Sequence, residues 1–259
     1  MADMKFKFTI QPYQTEAVDS VVGVFAGQPF NDHFTYRRDV NIERNILNWN
    51  RSDEELFMGF ANARVQLEFG QLLNNIHRIQ TRNNIKLAET IASGGLGACS
   101  LDVEMETGTG KTYVYIKTMF ELNKQYGWSK FIVVVPSIAI REGVKKSFET
   151  MEEHFMEYYG KKARYFVYDS KNLTQIDSFS QSADINVMII NIQAFNSTFN
   201  ESKKNSVSKI INSERDDFGS RRPIDVIAAN RPIVIMDEPQ KMGELLLRLA
   251  SRGLIHSSA

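Results

Sequence analysis

The stretch Met105-Glu106-Thr107-Gly108-Thr109-Gly110-Lys111-Thr112 decides the fold, and the rest of the chain is interpreted around it. It follows the alternating run Leu101 to Glu104, which predicts a strand, and precedes a helical pattern from Tyr113 to Gln125. Small residues at such a junction let the backbone turn its N–H groups toward one point, beside the positive end of the helix. The stretch therefore predicts a phosphate-binding loop, with Lys111 on the β- and γ-phosphates of a nucleotide and the Thr112 hydroxyl on Mg²⁺.

The strict form of this motif has glycine where this chain has Met105. We expect Thr107, Gly108, Thr109 and Gly110 to line the phosphates together with the lysine and threonine that follow. The alternative is a turn rich in glycine and threonine that binds no ligand. A second element downstream, in the order that nucleotide hydrolysis requires, favours the nucleotide site.

That second element is the apolar run Pro232 to Met236, which ends in Asp237 and Glu238. The run predicts a buried strand, and open α/β sheets bind ligands at the carboxyl ends of their strands. We expect Asp237 to hold Mg²⁺ through its water shell and Glu238 to orient or activate the attacking water. An acidic pair after a strand is usually a solvated turn, but together with Lys111 upstream it predicts a catalytic site for nucleotide hydrolysis.

Strand patterns alternate with helical patterns along the chain, and continuous apolar runs suit parallel strands buried on both faces. The strand patterns lie at residues 131–135, 164–168, 187–191 and 232–236. They predict an α/β fold with a doubly wound, mainly parallel sheet and helices on both of its faces.

We expect a single domain over residues 1–259, with a helical insertion at about 28–97 and a flexible excursion at about 196–222 that is rich in polar residues. Three helical patterns define the insertion. They comprise a capping box at Ser52 and Glu55 with Leu56, Phe57, Phe60, Ala63 and Leu67, then Leu72, Leu73, Ile76 and Ile79, and then a third pattern that Gly94 and Gly95 close. We interpret these residues as packing faces, although a nucleic-acid or partner contact is the open alternative.

The composition excludes several classes of protein. The 259 residues carry a formal net charge of zero, so no overall field attracts nucleic acid, and any contact with DNA must be local. A single cysteine excludes an internal disulfide framework, and the histidines show no metal-ligand spacing. The absence of a membrane-length apolar run and of a signal-peptide pattern predicts a cytoplasmic protein without membrane contact.

Two further regions are candidates for ligand contacts. Gln14 lies in a helical pattern that begins after Pro12, and its amide could both accept from and donate to an adenine edge. Pro136, Ser137 and Arg141 follow the strand pattern at 131–135, where backbone amides and hydroxyls can hold a nucleic-acid phosphate. For both regions the alternative is an ordinary connection between a strand and a helix.

The motifs together resemble the Res (restriction) subunit of type III restriction-modification enzymes, which contain a superfamily 2 helicase-like ATPase lobe. The resemblance spans about residues 6–241 and rests on motifs that agree in their order along the chain and in their residues. They are Asp102 to Tyr115, Val134 to Val144, Asn191 to Asn196, and Asp237 to Gln240.

This resemblance implies an RecA-like first motor lobe that uses ATP and Mg²⁺, acts on double-stranded DNA and works with a methyltransferase (Mod) subunit. By motif, Gln14 corresponds to the adenine-reading glutamine, Lys111 and Thr112 to the phosphate and Mg²⁺ ligands, and Asp237 and Glu238 to the hydrolysis pair. The DNA-backbone motif of the family corresponds to Pro136, Ser137 and Arg141.

Three parts of such proteins have no counterpart in the sequence: the Ser-Ala-Thr motif, a second motor lobe with an arginine finger, and a nuclease domain. Residues 245–259 match no expected motif. Because loss of an arginine finger costs on the order of 10³ in rate, we expect ATP binding with weak turnover and no DNA cleavage. The alternatives are the same lobe of a type I restriction translocase or an RNA helicase, or a truncated module without catalytic activity.

Overall fold

The computed structural model describes residues 8–32, 34–37, 58–92, 99–192, 211 and 213–241. The helices are α1 Pro12–Gly23, α2 Phe69–Arg82, α3 Lys111–Tyr126, α4 Ile138–Tyr159, α5 Thr174–Gln181 and α6 Pro223–Ala229. The strands are β1 Phe34–Arg37, β2 Met58–Ala61, β3 Lys130–Val135, β4 Arg164–Val167, β5 Asn186–Asn191 and β6 Ile233–Met236. Short 3-10 turns occupy Asp216–Phe218 and Pro239–Lys241. Among these residues no helix combines the length and the apolarity needed to span a bilayer.

A parallel sheet with the strand order β4-β5-β3-β6 forms the centre of the protein. Val133 of β3 pairs with Ile189 of β5 on one side and with Ile235 of β6 on the other. All six residues of β3 are buried, as expected for a strand covered on both faces.

Helices cover both faces of this sheet. Phe131, Val133 and Val135 pack with apolar residues of α1, α3 and α4, whereas Ile132 and Val134 pack with residues of α5 and α6. This arrangement of helix, sheet and helix confirms the predicted doubly wound α/β fold.

The strand predicted at residues 101–104 does not form. Residues 101–106 form no strand, and Val103 is exposed, because none of the described strands pairs with this segment. An alternating pattern produces a strand only where a neighbouring strand accepts its hydrogen bonds.

In the predicted insertion, the helix with Leu72 and Ile76 on its buried face is confirmed as α2. Phe60 belongs to β2 instead of a helix, because β2 pairs in antiparallel fashion with β1. The capping-box residues Ser52 and Glu55 lie outside the described residues. The described part of the interval 28–97 thus combines one helix with a two-stranded sheet.

The described end of the predicted polar excursion is packed against the fold. Phe218 and Ile211 are buried in the same cluster as α5 and α6. Arg221 donates two hydrogen bonds of 3.1 Å to the two carboxylate oxygens of Asp177 on α5. A bidentate arginine of this kind fixes the orientation of both elements.

Asn62 connects the two sheets through its buried side chain. Its Nδ2 donates to the carbonyl oxygens of Lys130 and Arg231, at 2.8 and 3.0 Å, and its Oδ1 accepts from the backbone N–H groups of Ser129 and Lys130, at 2.8 and 2.9 Å. The backbone N–H of Asn62 also donates to Asn230 O. One amide thereby aligns the start of β3 with the start of β6.

Replacing Asn62 with Asp should destabilise the protein by about 3 kcal/mol or more, because a buried carboxylate would then face two carbonyl oxygens without a proton to donate. Urea unfolding measures this change in the free energy of unfolding. The matched control is Asn74→Asp on the exposed face of α2, which should change it by less than about 0.5 kcal/mol. Equal effects of the two substitutions would contradict the role assigned to Asn62.

Lys130 is fully buried at the start of β3, and its ammonium group donates to the carbonyl oxygens of Phe179 and Ser182 at the end of α5. Burial lowers the pKa of Lys130 to about 7, and the negative charge of Asp184 offsets part of this shift. The unfolded chain, with an ordinary lysine pKa, therefore binds more protons than the folded chain above pH 7. Stability attributable to Lys130 must rise with pH across that interval.

The advantage of the wild type over Lys130→Met in free energy of unfolding should therefore grow from about pH 7 to about pH 9. The upper limit is about 1.4 kcal/mol per pH unit. Urea unfolding of both proteins at several pH values measures it, with Lys171→Met at an exposed position as the control. If the difference in free energy of unfolding stays constant or falls with pH, the pKa of Lys130 is not lowered in the folded protein.

Candidate functional site

The loop Met105 to Thr112, here called the glycine loop, turns sharply before α3. Gly108 and Gly110 have φ angles of 83° and 87°, a left-handed conformation that favours glycine. The Thr109 hydroxyl donates to Glu106 O at 2.6 Å and closes the turn. Gly110 is the residue immediately before α3, and its carbonyl oxygen accepts the N–H of Val114. The loop backbone therefore leads directly into the helix, as the motif predicts.

The amino end of α1 holds this loop in place. Gln14 Nε2 donates to Thr109 O at 2.9 Å, and the Tyr13 hydroxyl donates to the same oxygen at 3.1 Å. The Gln14 carbonyl oxygen accepts no hydrogen bond from any residue that the structure describes. The amide thus contacts the glycine loop and retains an acceptor, so its predicted role in reading adenine stays a prediction.

The first turn of α3 is open to an anion. No side chain caps the amino end of this helix, and its first turn contains no acidic residue. Lys111 and Thr112 both lie in that turn, and both are partly exposed. A Cβ atom added at Gly108 would meet nothing within 4 Å, so there is free space beside the loop. Free N–H groups at the start of a helix, beside a lysine, suit a phosphate group.

Asp237 and Glu238 follow β6 at the carboxyl edge of the sheet. The N–H of Asp237 donates to Val134 O at 3.0 Å, so the pairing of β3 with β6 extends to this residue. Glu238 has a φ angle of 58°, which residues other than glycine rarely adopt. Strained backbone of this kind clusters at functional sites and costs about 1–3 kcal/mol. The turn that carries the two adjacent carboxylates is therefore a candidate functional site.

Tyr115 on α3 links the glycine loop to the acidic pair. Burial raises the pKa of the Tyr115 hydroxyl well above its ordinary value, the negative charge of Asp237 raises it further, and the side chain of Thr112 offsets part of the shift. Both side chains thus lie near one hydroxyl group. Thr112 and Asp237 are the two predicted Mg²⁺ ligands, and both interact with this hydroxyl.

Sequence reasoning singled out neither Tyr115 nor Tyr13. A signal for Tyr115 was present, because residues three apart on a helix share a face and Thr112 is three residues earlier. For Tyr13 the only sequence signal was its position beside Gln14, since its bond to Thr109 O depends on how α1 packs.

Pro136, Ser137 and Arg141 lie after the carboxyl end of β3, at the same edge of the sheet as the acidic pair. Ser137 Oγ accepts the N–H of Ile140 at 3.3 Å and caps α4. The guanidinium of Arg141 donates to Glu142 Oε1 at 2.8 and 3.1 Å. The assignment of these residues to DNA stays a prediction, and a DNA phosphate would compete with Glu142 for Arg141.

In the part of the chain that the structure describes, no three histidine, cysteine, aspartate or glutamate side chains form a metal-binding group. Burial raises the pKa of the Cys99 thiol to about 11. This cysteine therefore stays protonated at neutral pH.

Comparison with known proteins agrees with this geometry. The family model described as "Type III restriction enzyme, res subunit" matches residues 71–243, which is more than half of the chain and includes the glycine loop and the acidic pair. The chain belongs to this family.

Individual relatives support the assignment to the Res family. The chain is 31% identical to the Res subunit of the type III restriction-modification enzyme EcoP15I of Escherichia coli over 249 residues, which cover 90% of this chain and 23% of the relative. It is 28% identical to the EcoPI Res subunit of Escherichia phage P1 over 242 residues, which cover 89% and 23%. For the StyLTI Res subunit of Salmonella typhimurium strain LT2 the identity is 34% over 166 residues, which cover 55% and 16%.

The chain thus spans less than a quarter of the length of these relatives. The predicted resemblance to type III Res subunits is confirmed, and the α/β core is the helicase-type, RecA-like lobe of the Res family.

Gly110→Ala should destabilise this Res lobe by about 1–2 kcal/mol, because an alanine resists the left-handed backbone. Its Cβ would also lie 2.5 Å from Gln14 Nε2. Adding Gln14→Ala should relieve the contact but not the backbone strain. Thermal unfolding of both variants measures the effect. Gly143→Ala in α4, where a Cβ meets nothing within 4 Å, is the control and should stabilise by about 0.5–1 kcal/mol. A neutral Gly110→Ala would contradict the loop conformation.

Proposed function

We propose that this chain is the ATP-binding lobe of the DNA-dependent ATPase of a type III Res subunit. The observation that supports the proposal is that the glycine loop opens α3 and that the hydroxyl of Tyr115 on this helix interacts with Thr112 and with the charge of Asp237. A phosphate-binding turn without a nearby carboxylate would suit any anion. A hydroxyl and a carboxylate beside it suit a nucleotide that carries Mg²⁺.

The predicted residues have complementary roles in this proposal. The N–H groups of Thr107 to Gly110 and the ammonium of Lys111 bind the phosphates and offset their charge. The Thr112 hydroxyl and the Asp237 carboxylate are oxygen donors of the kind that Mg²⁺ prefers, and this ion neutralises negative charge on the transferred phosphoryl group when it is bound. Glu238 accepts a proton from the attacking water and orients it.

Gln14 is the proposed contact for the adenine base. Its Nε2 donates a hydrogen bond to the glycine loop, and its carbonyl oxygen can accept a hydrogen bond from the exocyclic amino group of adenine. A base that binds to this amide would also affect the position of the loop, because the same amide is hydrogen-bonded to Thr109. Recognition of the base is thereby coupled to the position of the phosphates.

Double-stranded DNA and a methyltransferase (Mod) subunit are the proposed partners. The relatives are named as subunits of restriction-modification enzymes, which supports DNA as the substrate class. Pro136, Ser137 and Arg141 are the proposed contacts with the DNA backbone. Because they lie at the edge of the sheet that also carries Asp237, DNA bound there would lie close to the nucleotide.

Lys111→Ala should weaken the binding of MgATP on the order of a hundredfold, because charge-assisted hydrogen bonds to the phosphates are lost. Titration of a fluorescent ATP analogue measures the dissociation constant. The matched control is Lys145→Ala, an exposed lysine that pairs with Glu149 at 3.8 Å on α4. Equal affinity in both variants would show that the glycine loop is not the nucleotide site.

Steady-state ATP hydrolysis by the same proteins, with and without duplex DNA, separates binding from turnover. We expect slow turnover that depends on Lys111 and Glu238. Stimulation by RNA instead of duplex DNA would favour an RNA helicase lobe, and nucleotide binding without any turnover would favour a module that is not catalytic.

A further inference from the structure

Tyr115 is a partly buried tyrosine that the proposed roles leave unexplained. Its ring packs in the cluster that contains Ile233 and Ile235 of β6, between α3 and the sheet. Its hydroxyl oxygen is shielded from solvent and makes no hydrogen bond of regular geometry to any residue that the structure describes, although the Thr112 side chain lies close to it. A buried hydroxyl without such a bond is costly, and phenylalanine would fill the same space without that cost.

The surroundings of this hydroxyl are the two ends of the proposed metal site. Thr112 is one helical turn before Tyr115 and on the same face of α3. Side chains alternate along a strand, so Asp237 follows Ile233 and Ile235 on the side of β6 that packs into the same cluster as Tyr115. The hydroxyl therefore lies on the face of the sheet that carries Asp237, close to Thr112 and under the influence of the Asp237 charge.

We propose that Tyr115 is a positioning residue, whose hydroxyl donates a hydrogen bond to the Asp237 carboxylate and holds that carboxylate toward Thr112 when MgATP binds. This inference rests on the proposed function and adds a residue to it. A carboxylate can accept several hydrogen bonds, so one from Tyr115 leaves oxygen lone pairs for the water shell of the ion. A tyrosine hydroxyl carries its proton at neutral pH, so it can donate this hydrogen bond.

The structure offers a matched control in Tyr168. Its hydroxyl is also buried and also lacks a regular hydrogen bond among the described residues, but its ring belongs to the cluster on the opposite face of the sheet. Tyr115→Phe and Tyr168→Phe therefore remove the same atom from comparable surroundings, one inside the proposed site and one outside it.

The experiment measures the affinity of the purified chain for a fluorescent ATP analogue in Mg²⁺ and in EDTA. Tyr115→Phe should reduce the ratio of the two affinities on the order of tenfold, the effect of one hydrogen bond to a charged group, and leave the affinity in EDTA unchanged. Tyr168→Phe should change neither value. In an Asp237→Asn background, Tyr115→Phe should have little further effect on the ratio, because the two residues act together.

Two failures can be told apart. If wild-type binding is insensitive to both Lys111→Ala and Mg²⁺, the proposed function fails. If wild-type binding depends on both but Tyr115→Phe keeps the full Mg²⁺ effect, only the positioning role is overturned. If Tyr115 has a purely structural role, Tyr115→Phe should lower the thermal midpoint and weaken binding equally in Mg²⁺ and in EDTA. This result would also overturn the positioning role. Should Tyr115→Phe fail to fold, Asp237→Asn with and without Tyr115→Leu supplies the same test of coupling, because leucine also lacks a donor.

Discussion

Burial of β3 on both faces is the constraint on which the rest of the structure depends. Its six buried residues leave no side of the strand for water, so helices must pack above and below it and a strand must pair at each edge. Parallel pairing with β5 and β6 then gathers the carboxyl ends of three strands at one edge. That edge carries Asp237 and Glu238, and it is where α3 brings the glycine loop.

The two ends of β3 have different kinds of polar chemistry. At its amino end, Asn62 and Lys130 satisfy buried backbone carbonyl and N–H groups through direct hydrogen bonds, which makes this end a rigid support. At its carboxyl end, Asp237 follows the neighbouring strand β6, and no side chain caps the amino end of α3. A rigid support at one end and groups suited to a ligand at the other are what a site needs to hold a charged ligand in one geometry.

The α1 helix adds a connection between base and phosphate contacts. Gln14 and Tyr13 both donate to Thr109 O, so the segment proposed to read adenine is bonded to the loop proposed to bind phosphate. Such a link lets the packing of α1 against α3 influence the loop, and it explains why Gly110 has no room for a side chain. The family match at residues 71–243 includes the loop and the acidic pair and begins after α1.

The sequence by itself determined the features that depend only on residues close together in the chain. Glycines before a lysine predicted the loop, apolar runs predicted the buried strands, and an acidic pair after such a run predicted the edge of the sheet. Only the tertiary structure decided which segments found a neighbour. Residues 101–104 have a strand pattern but no partner strand among the described residues, whereas residues 58–61 became β2 because β1 lies beside them. The proposed role of Tyr115 likewise depends on how α3 packs against the sheet, because packing between distant segments leaves no periodic signal in either one.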